Sequence, residues 1–524
     1  MDVSRRTALK VGVFGGAALL LPLERTVGAS TALPPRMPSS SLPVPFTIPF
    51  ARPPVLYPVR TDSTTDFYRV VMAPLRTEVI PGFQTNFFAY NQSVPGPTIR
   101  VKRGRQTVVR MINQLPAKHP VLNYTPWTSV HLHGSPSDPQ FDGYASDVTN
   151  PGQFKDYHYP NTQPGRTIWY HDHGVSHTAE NVYMGLAAQY HVVDPMEDSL
   201  GLPRGEFEVP LTISDAMFTT DGSLLVDNHD GSGIYGDVIL VNGRPWPAMK
   251  VKRRKYRFRV LNGSVSRSYN LFLDSGDQFK VIATDGGLMP RPMSVTSMRQ
   301  GMAERYDIVI DFSKYPAGRR VVLGNRSPKN NIGYPNVDKI MAFDVIGDGF
   351  DPSNNSVPDV LNPDDPVMAL KVADAVQTRT FDFARSHGQF TINGHTWEDV
   401  VKSGFTRIEA NPRHGDTELW VINNLSGGWF HPVHIHLVDF KIVDRNGKPP
   451  FAYENGPKDV VYVGENESVR LLMKFEGRGK YMMHCHNTVH EDHDMMAQFQ
   501  VFDDTTPSID PLSDPCTMLP DGQL

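Results

Sequence analysis

Three stretches of the chain alternate hydrophobic and polar residues as a half-buried β-strand requires. Each stretch begins with a turn and leads to a strand that ends in asparagine, over residues 95–113, 241–262 and 392–423. Successive side chains of a strand point to opposite faces of a sheet, so the alternation predicts strands with one buried face. The copies recur at a spacing of about 150 residues, which predicts an all-β chain of three related β-sandwich domains.

A second set of strand-like runs also repeats. Residues 164–173 and 478–486 each combine a glycine turn, an apolar run and a final His-x-His, whereas the matching run at 317–326 has no histidine. A shorter His-x-His run at 129–133 is matched by 432–436, again with no histidines at the corresponding place in the middle unit. The first and third domains are therefore predicted to bear metal, and the second to be a spacer.

Composition between the repeats predicts the domain boundaries. The chain has 524 residues, which suits about three domains, and segment 353–365, rich in Asn, Pro and Asp, is typical of a linker. The predicted order is a signal segment at 1–29, a proline-rich arm at 30–60, domains at 61–195, 196–352 and 353–505, and a C-terminal tail at 506–524.

Charge and cysteine content narrow the class of protein. The net charge is −5, from 51 Lys and Arg against 56 Asp and Glu, so no basic excess is present to attract nucleic acid. The chain has only two cysteines, Cys485 and Cys516. We expect no intrachain disulfide, with Cys485 binding a metal and Cys516 an ordinary thiol of the polar tail.

The N-terminus predicts export. Arg5 and Arg6 precede a weakly apolar run over 11–23 that is too short to span a bilayer, and small residues follow up to Ala29. This order is typical of a twin-arginine signal cleaved after about Ala29. It predicts a periplasmic or extracellular protein without stable membrane insertion; the alternative is an uncleaved N-terminal anchor.

Histidines are paired far more often than chance allows. The chain has four His-x-His pairs, at 131/133, 171/173, 434/436 and 484/486, whereas random placement of 19 histidines among 524 residues would give about 0.7. On a strand each pair directs two imidazoles to one face, and imidazole suits copper. These eight rings are predicted to line one cavity between the outer domains.

The run 484–496 predicts two metal sites on one backbone. On a strand, His484 and His486 face one way and Cys485 faces the other. A thiolate, His490 and Met495, with one more histidine from elsewhere, make the trigonal set of a blue-copper site with a long axial Met. The alternatives are a histidine-rich metal-scavenging loop or a structural zinc site, although no CxxC motif is present.

The chain resembles the multicopper oxidases. The resemblance is carried by four stretches, His131-Leu132-His133-Gly134, His171-Asp172-His173 and the runs 431–436 and 484–496. Within the family, the run 490–496 is most similar to the branch of bilirubin oxidase, bacterial spore-coat laccase and phenoxazinone synthase. The resemblance implies three cupredoxin-like Greek-key domains and four coppers per chain. It implies a type 1 copper on His431, Cys485, His490 and Met495, a type 2 copper on His131 and His434, and a type 3 pair on His133, His171, His173, His436, His484 and His486.

The resemblance also implies a mechanism. Electrons would enter at the type 1 copper, with an edge of His490 or His431 near the surface, and pass through Cys485 to His484 and His486. Glu491 and Asp142 match acidic positions that supply protons in the spore-coat laccase branch. Alternatively, Asp142-Gly143 is a plain turn and Glu491 a hydrogen-bonding residue of its loop.

The resemblance leaves the substrate open. A phenolic, aminophenolic or bilirubin-like reductant with O₂ as acceptor is expected, and an oxidase of Cu(I), Fe(II) or Mn(II) is the nearest alternative. A copper-binding or coat protein without turnover is a third, which the completeness of all twelve ligand positions disfavours. A homo-oligomer is compatible with the sequence, and His493, close to the type 1 loop, has no assigned role.

Overall fold

The structure is a computed structural model, and it describes residues 33–229, 231–347, 352–386 and 388–518. The predicted signal segment at 1–29 lies outside the described residues, as do the first residues of the predicted arm. Strands account for 43% of the structure and helices for 9%, which confirms the all-β prediction. Among the described residues, no helix has the length and apolar character needed to cross a membrane.

The strands lie in three successive regions of the chain. The first region contains β1 (Val55–Leu56), β2 (Arg60–Thr61), β3 (Thr65–Glu78), β4 (Gln84–Tyr90), β5 (Thr98–Lys102), β6 (Gln106–Asn113), β7 (Val130–His133), β8 (Gln153–Tyr159), β9 (Arg166–Asp172) and β10 (Ala187–Val193). The middle region contains β11 (Glu208–Ala216), β12 (Val238–Val241), β13 (Arg244–Pro245), β14 (Ala248–Lys252), β15 (Lys255–Asn262), β16 (Tyr269–Leu273), β17 (Phe279–Thr284), β18 (Gly287–Val295), β19 (Ser297–Gln300), β20 (Arg305–Asp311), β21 (Arg320–Asn325) and β22 (Lys339–Ile346). The third region contains β23 (Gln377–Ser386), β24 (Gln389–Ile392), β25 (Thr417–Asn424), β26 (His431–Ile435), β27 (Phe440–Arg445), β28 (Val460–Val463), β29 (Ser468–Lys474), β30 (Gly479–Cys485), β31 (Met496–Val501) and β32 (Thr517–Met518).

Helices are short and serve as connections. The α-helices are α1 (Thr178–Tyr183), α2 (Pro366–Ala369), α3 (Trp397–Lys402) and α4 (Thr488–Asp492). Single 3₁₀ turns occupy Ser39–Ser41, Pro139–Phe141, Pro195–Leu200, Gly205–Phe207, Phe312–Lys314, Val372–Asp374 and Ala452–Glu454. Helices α1 and α4 contact each other, because the carboxylate of Asp492 accepts the backbone N–H groups of Thr178 and Ala179 at 3.1 and 2.7 Å.

Each region forms two sheets. Their strand orders are β1-β5-β10-β9-β7 and β2-β3-β6-β8-β32 with β4 beside β3, then β13-β12-β11-β15-β20-β17-β18 and β14-β22-β21-β16-β19, and finally β24-β23-β25-β29-β27 and β28-β26-β30-β31. Because β32 pairs with β8, the segment predicted as a tail returns to the first region. The domain boundaries given above stay predictions.

Apolar side chains join the two sheets of the middle region. Phe258 on β15, Ile308 on β20 and Phe343 on β22 are each 0% exposed, and the ring centroids of Phe258 and Phe343 are 5.0 Å apart across the layer. Strands β15 and β20 are buried along almost their whole length, so this sheet is covered on both faces rather than on the single face that the alternation predicts.

A buried histidine in the loop after β6 should make stability depend on pH. His119 is 3% exposed, and its Nδ1 accepts the backbone N–H groups of Val121 and Leu122 at 3.2 and 3.0 Å. Burial lowers the pKa of His119 to about 4 from the ordinary 6.5. As the pH decreases from 6.5 toward about 4, the unfolded chain therefore binds a proton at His119 that the folded chain does not bind. The free energy of unfolding decreases over this range.

Replacing this histidine should remove that part of the pH dependence. We expect the loss of unfolding free energy between pH 7 and pH 5 to be smaller by about 2 kcal/mol in His119→Gln than in the wild type. Urea unfolding at the two pH values measures the difference. An unchanged pH dependence in the variant would contradict the assignment.

Candidate metal centres

The eight histidines of the four His-x-His pairs lie together in one buried place. Pairing of β7 with β9 sets His131 opposite His171, and pairing of β26 with β30 sets His434 opposite His484. None of the eight rings is more than 1% exposed. The first and third regions meet there, because the Nε2 atoms of His131 and His434, 303 residues apart, are separated by 3.4 Å.

Distances between ring nitrogens place the eight histidines in three overlapping groups. His131 and His434 form the first, and His133 also has a donor nitrogen within 4.8 Å of theirs. In the second, His173 and His436 each place Nε2 at 3.2 Å from Nε2 of His484. In the third, donor atoms of His133, His171 and His486 all lie within 4.8 Å of one another. Each group brings two or three imidazole nitrogens within reach of one metal ion.

Hydrogen bonds at the other ring nitrogen hold most of these rings in place. Five rings have Nδ1 beside a protein oxygen, which leaves Nε2 for a metal: His131 at the Asp142 carbonyl, His171 at the Asp172 carbonyl (2.8 Å), His434 at the Asp459 carbonyl (2.8 Å), His436 at Asp142 Oδ2 (2.7 Å) and His484 at the Cys485 carbonyl (3.2 Å). His133 is turned the other way, with Nε2 at 3.0 Å from Asp459 Oδ1. Such outer partners fix the tautomer and orientation of a ligating histidine.

Buried nitrogens without a hydrogen-bond partner fit a metal site. Nδ1 of His133, Nε2 of His171 and both ring nitrogens of His486 have no hydrogen-bond partner, although a buried polar atom normally has one. The first two are the nitrogens that the hydrogen bonds at the opposite ring atoms leave free. Copper bound by this imidazole group would satisfy one nitrogen of each of the three rings, so the donor set fits the metal that the sequence predicts.

Burial keeps most of these imidazoles in the neutral form that binds metal. It lowers the pKa to about 3 for His171 and about 4 for His173, and to well below the usual range for His131, His133, His434, His436 and His486. A protonated imidazole cannot ligate, and metal affinity is higher when no proton has to be displaced.

A second donor set lies on the opposite face of β30. Sγ of Cys485 is 3.3 Å from Nδ1 of His431 and 3.7 Å from Nδ1 of His490, and the two Nδ1 atoms are 3.4 Å apart. Met495 is fully buried beside them; its N–H donates to the His490 carbonyl at 3.0 Å, and its carbonyl accepts from Cys485 N–H at 3.1 Å. One strand therefore carries donors for both sets, as the alternation predicts.

The Cys485 thiol needs a cation to ionise. Burial raises the pKa of Cys485 above its ordinary value of 9.0, so without a cation the sulfur keeps its proton at neutral pH. A coordinated metal deprotonates a thiol outright. The Asn487 N–H, 3.4 Å from the sulfur, would support the thiolate.

Residues from two regions cover this second set. Phe390 stacks on the His490 ring at 4.0 Å, and the ring of half-buried Trp429 lies 5.3 Å from it. Nε2 of His490 is 3.1 Å from the carbonyl oxygen of Ser232, which belongs to the middle region. His490 and His431 are themselves 0% exposed, so neither ring reaches the surface, whereas Ser232 and Trp429 beside His490 are half-buried.

The two carboxylates named from the sequence both touch the histidine groups. Glu491 Oε2 lies 3.0 Å from Nδ1 of His484, and its Oε1 lies 3.5 Å from Nδ1 of His173. Asp142 reaches His436 through its side chain and His131 through its backbone carbonyl. Glu491 and Asp142 are 3% and 2% exposed, so neither is a surface turn residue.

Sequence reasoning missed several residues that hold these groups. Asp459 and Ser232 support ligand positions, but no spacing or motif sets them apart from other polar residues. Asp172 lies within the His171-Asp172-His173 run, but nothing in that run shows that its carbonyl holds the His171 ring. His493 lies outside the clusters described above; its Nδ1 is 2.6 Å from the Val489 carbonyl. Cys516 is a half-buried free thiol whose sulfur is 3.2 Å from Gln153 Oε1.

Comparisons with known proteins all match this chain to one family. Three family models, each described as a multicopper oxidase, match residues 75–197, 207–327 and 363–505. A bilirubin oxidase of Albifimbria verrucaria is 42% identical over 479 residues, covering 87% of this chain and 81% of the relative. A laccase of Bacillus subtilis (strain 168) is 34% identical over 513 residues, covering 86% of this chain and 97% of the relative.

Solved structures share the fold. The crystal structure of a laccase from Pediococcus acidilactici superimposes with a TM-score of 0.75 at 29% identity, covering 88% of this chain and 95% of that one. Its likeness agrees with cupredoxin-like all-β architecture for the chain.

Proposed function

This chain belongs to the multicopper oxidase family, and we propose that it oxidises phenolic, aminophenolic or bilirubin-like molecules and passes the electrons to O₂. Members of the family are oxidoreductases such as laccase and bilirubin oxidase. The observation that carries the proposal is the end of strand β30, where Cys485 of one donor set stands between His484 and His486 of the other.

We assign the donor sets to one type 1, one type 2 and two type 3 coppers. His431, Cys485, His490 and Met495 would hold the type 1 copper, and His131 and His434 the type 2 copper. The type 3 pair would be held by His133, His171 and His486 together with His173, His436 and His484. When bound, copper supplies one-electron oxidation at the type 1 site and four-electron reduction of O₂ to water at the other three. The protein orients the imidazoles and excludes water.

Cys485 has the position of an electron conduit. Its two peptide bonds join it to His484 and His486, so a path of covalent bonds runs from the type 1 sulfur to the imidazoles of the second set. Burial of β30 between β26 and β31 fixes this path in one conformation.

Glu491 and Asp142 have the positions of proton carriers. Water formation consumes protons, and a positioned carboxyl group within hydrogen-bond reach can supply them. Oε2 of Glu491 lies beside His484 and Oδ2 of Asp142 beside His436, which are ligands of one type 3 group. We propose that these oxygens hold and release protons there.

The surroundings of His490 favour an aromatic organic reductant. Half-buried Trp429, next to the His490 ring, offers an aromatic face on which a phenol or pyrrole ring can stack. The bilirubin oxidase relative supports the same substrate class.

A parallel assay tests the substrate class. O₂ uptake by copper-loaded protein is measured with 2-aminophenol, a dimethoxyphenol, bilirubin and Fe(II). We expect kcat/KM for at least one organic reductant to exceed that for Fe(II) by about tenfold or more. A preference for Fe(II) would make the protein a metal-ion oxidase, and absence of uptake with every reductant would reject the proposed function.

Replacement of the axial ligand should change the redox potential. In Met495→Leu the thioether is lost while the buried volume is nearly kept, and the axial ligand tunes the potential of such a site. We expect the type 1 potential to rise, as measured by redox titration of the visible absorption band. An unchanged or lower potential would show that Met495 is not the axial ligand.

We further propose export by the twin-arginine route, on the basis of Arg5 and Arg6. Changing both to lysine should leave the full-length protein in the cytoplasm, as measured by cell fractionation. Export of the double variant at the wild-type level would reject this route.

A further inference from the structure

One arginine of the middle region contacts all three regions of the chain. Arg305, at the start of β20, is 0% exposed. Its Nε donates to the carbonyl of Thr167 in the first region at 3.0 Å. Nη1 and Nη2 donate to both carboxylate oxygens of Asp459 in the third region, at 2.6 and 2.5 Å.

Every N–H of this guanidinium has an acceptor. Besides Thr167 and Asp459, Nη1 donates to the Ala303 carbonyl at 3.1 Å and Nη2 to the Asp285 carbonyl at 3.2 Å. The five N–H groups of a guanidinium lie in one plane with a fixed geometry. The orientation of the group is therefore set by four different residues, and the plane of the Asp459 carboxylate is set with it.

Asp459 in turn holds two of the histidine rings. Oδ1, which accepts from Arg305, also lies 3.0 Å from Nε2 of His133. The backbone carbonyl of Asp459 is 2.8 Å from Nδ1 of His434. The residue thus contacts a proposed type 3 ligand through its side chain and a proposed type 2 ligand through its backbone.

His133 depends on this carboxylate more than the other rings depend on theirs. Five of the rings have Nδ1 beside a protein oxygen and leave Nε2 for the metal, whereas His133 must present Nδ1, the buried nitrogen without a hydrogen-bond partner. Donation from Nε2–H to Asp459 selects that tautomer and that ring orientation, because a neutral imidazole carries only one proton.

We propose that Arg305 is a positioning residue for the type 3 site, acting through Asp459 to fix the tautomer and orientation of His133. The inference rests on the proposed function and gives the middle region, which has no proposed copper ligand, a direct part in building the copper cluster. Lysine cannot replace Arg305 here, because an ammonium group makes neither the two parallel bonds to a carboxylate nor the fifth hydrogen bond.

Arg259 provides a matched control. It is 2% exposed, lies on β15 next to β20, pairs with buried Glu208 at 2.5 Å and donates to Thr167 Oγ1 at 2.9 Å. The hydrogen bonds and ion pairs of its guanidinium go to Glu208, Asp307, Glu197 and Thr167, none of which is a proposed copper ligand. Arg259→Lys therefore removes a comparable buried ion pair of the middle region, together with a contact to Thr167 of the first region, without touching the His133 ring.

The experiment compares copper binding in the wild type, Arg305→Lys and Arg259→Lys. Copper-loaded proteins are dialysed against increasing concentrations of a chelator, and total copper is compared with copper visible by electron paramagnetic resonance. A coupled pair of Cu(II) ions gives no resonance signal, so the silent fraction reports the type 3 pair and the visible absorption band reports the type 1 site. Circular dichroism verifies folding.

We expect Arg305→Lys to lose its silent copper at about 10–100-fold lower chelator concentration than the wild type, with the type 1 band unchanged. Arg259→Lys should follow the wild-type curve. If Arg305→Lys does not fold, Asp459→Asn is compared with Glu208→Gln in the same assay, with the same expectation. A silent fraction as firmly held as that of the wild type would overturn the inference.

The result separates the two proposals. A wild-type protein that binds copper but shows no silent fraction would contradict the proposed function itself. A normal silent fraction in the wild type that is equally well retained in Arg305→Lys, or in Asp459→Asn, would contradict only the role of Arg305.

Discussion

Cys485→Ser should lose both the intense visible absorption band and the oxidation of organic reductants. The hydroxyl of serine is a poor ligand for copper in a trigonal His₂Cys site, and without a thiolate the charge-transfer absorption cannot arise. Electron entry through Cys485 is lost at the same time. We expect turnover with a dimethoxyphenol to fall by about 10³-fold or more, equivalent to at least about 4 kcal/mol in activation free energy.

The second cysteine provides the control for this substitution. Cys516→Ser changes a half-buried thiol whose hydrogen bonds go to the Val148 carbonyl and to Gln153, neither of which is a proposed copper ligand. That variant should keep its colour and its O₂ uptake. Absorption spectra, copper content and O₂ electrode traces are recorded for both variants, and a coloured, active Cys485→Ser enzyme would reject the type 1 assignment.

Glu491→Gln should retain copper and colour but lose most of its turnover. The amide keeps the size of the side chain but cannot hold and release a proton beside His484. Loss of a positioned acid or base typically costs about 10²–10⁴-fold in rate, and we expect kcat for O₂ uptake to fall within that range. Metal analysis and the visible spectrum show whether the sites remain loaded.

A buried carboxylate of the same region serves as the control. Glu418 is 1% exposed and pairs with Arg379 at 2.7 Å, and its other hydrogen bond is to Trp420 rather than to a proposed ligand. Glu418→Gln should affect stability rather than turnover of the loaded enzyme. If Glu491→Gln loads copper and turns over within a factor of about two of the wild type at every pH tested, Glu491 is not a proton carrier.

Residues that follow a local rule were predictable from the sequence. The two-residue period of a strand places both histidines of a His-x-His pair on one face and Cys485 on the other. The structure shows this at β7 and at the ends of β9 and β30, where His173 and His486 directly follow the strand. The repeat of the pattern correctly indicated which regions contain the histidine pairs. Both results depend only on neighbouring positions in the chain.

Contacts between distant segments could not be predicted in this way. Asp459 meets His133 across 326 residues and Arg305 across 154 residues, and no periodicity connects them. The description of the middle domain as a spacer is incomplete for the same reason. Ser232 and Arg305 of that region contact a proposed type 1 ligand and the partner of a proposed type 3 ligand, respectively.

The close approach of His131 and His434 has a consequence for biosynthesis. Domains generally fold in order as they leave the ribosome, beginning at the N-terminus. The first half of the histidine cavity is then complete long before its counterpart has been translated, since the two halves are separated by 303 residues. Copper insertion at the shared cavity must therefore be a post-translational event, and a polypeptide that terminates prematurely before β26 would offer only a half-built, low-affinity cleft.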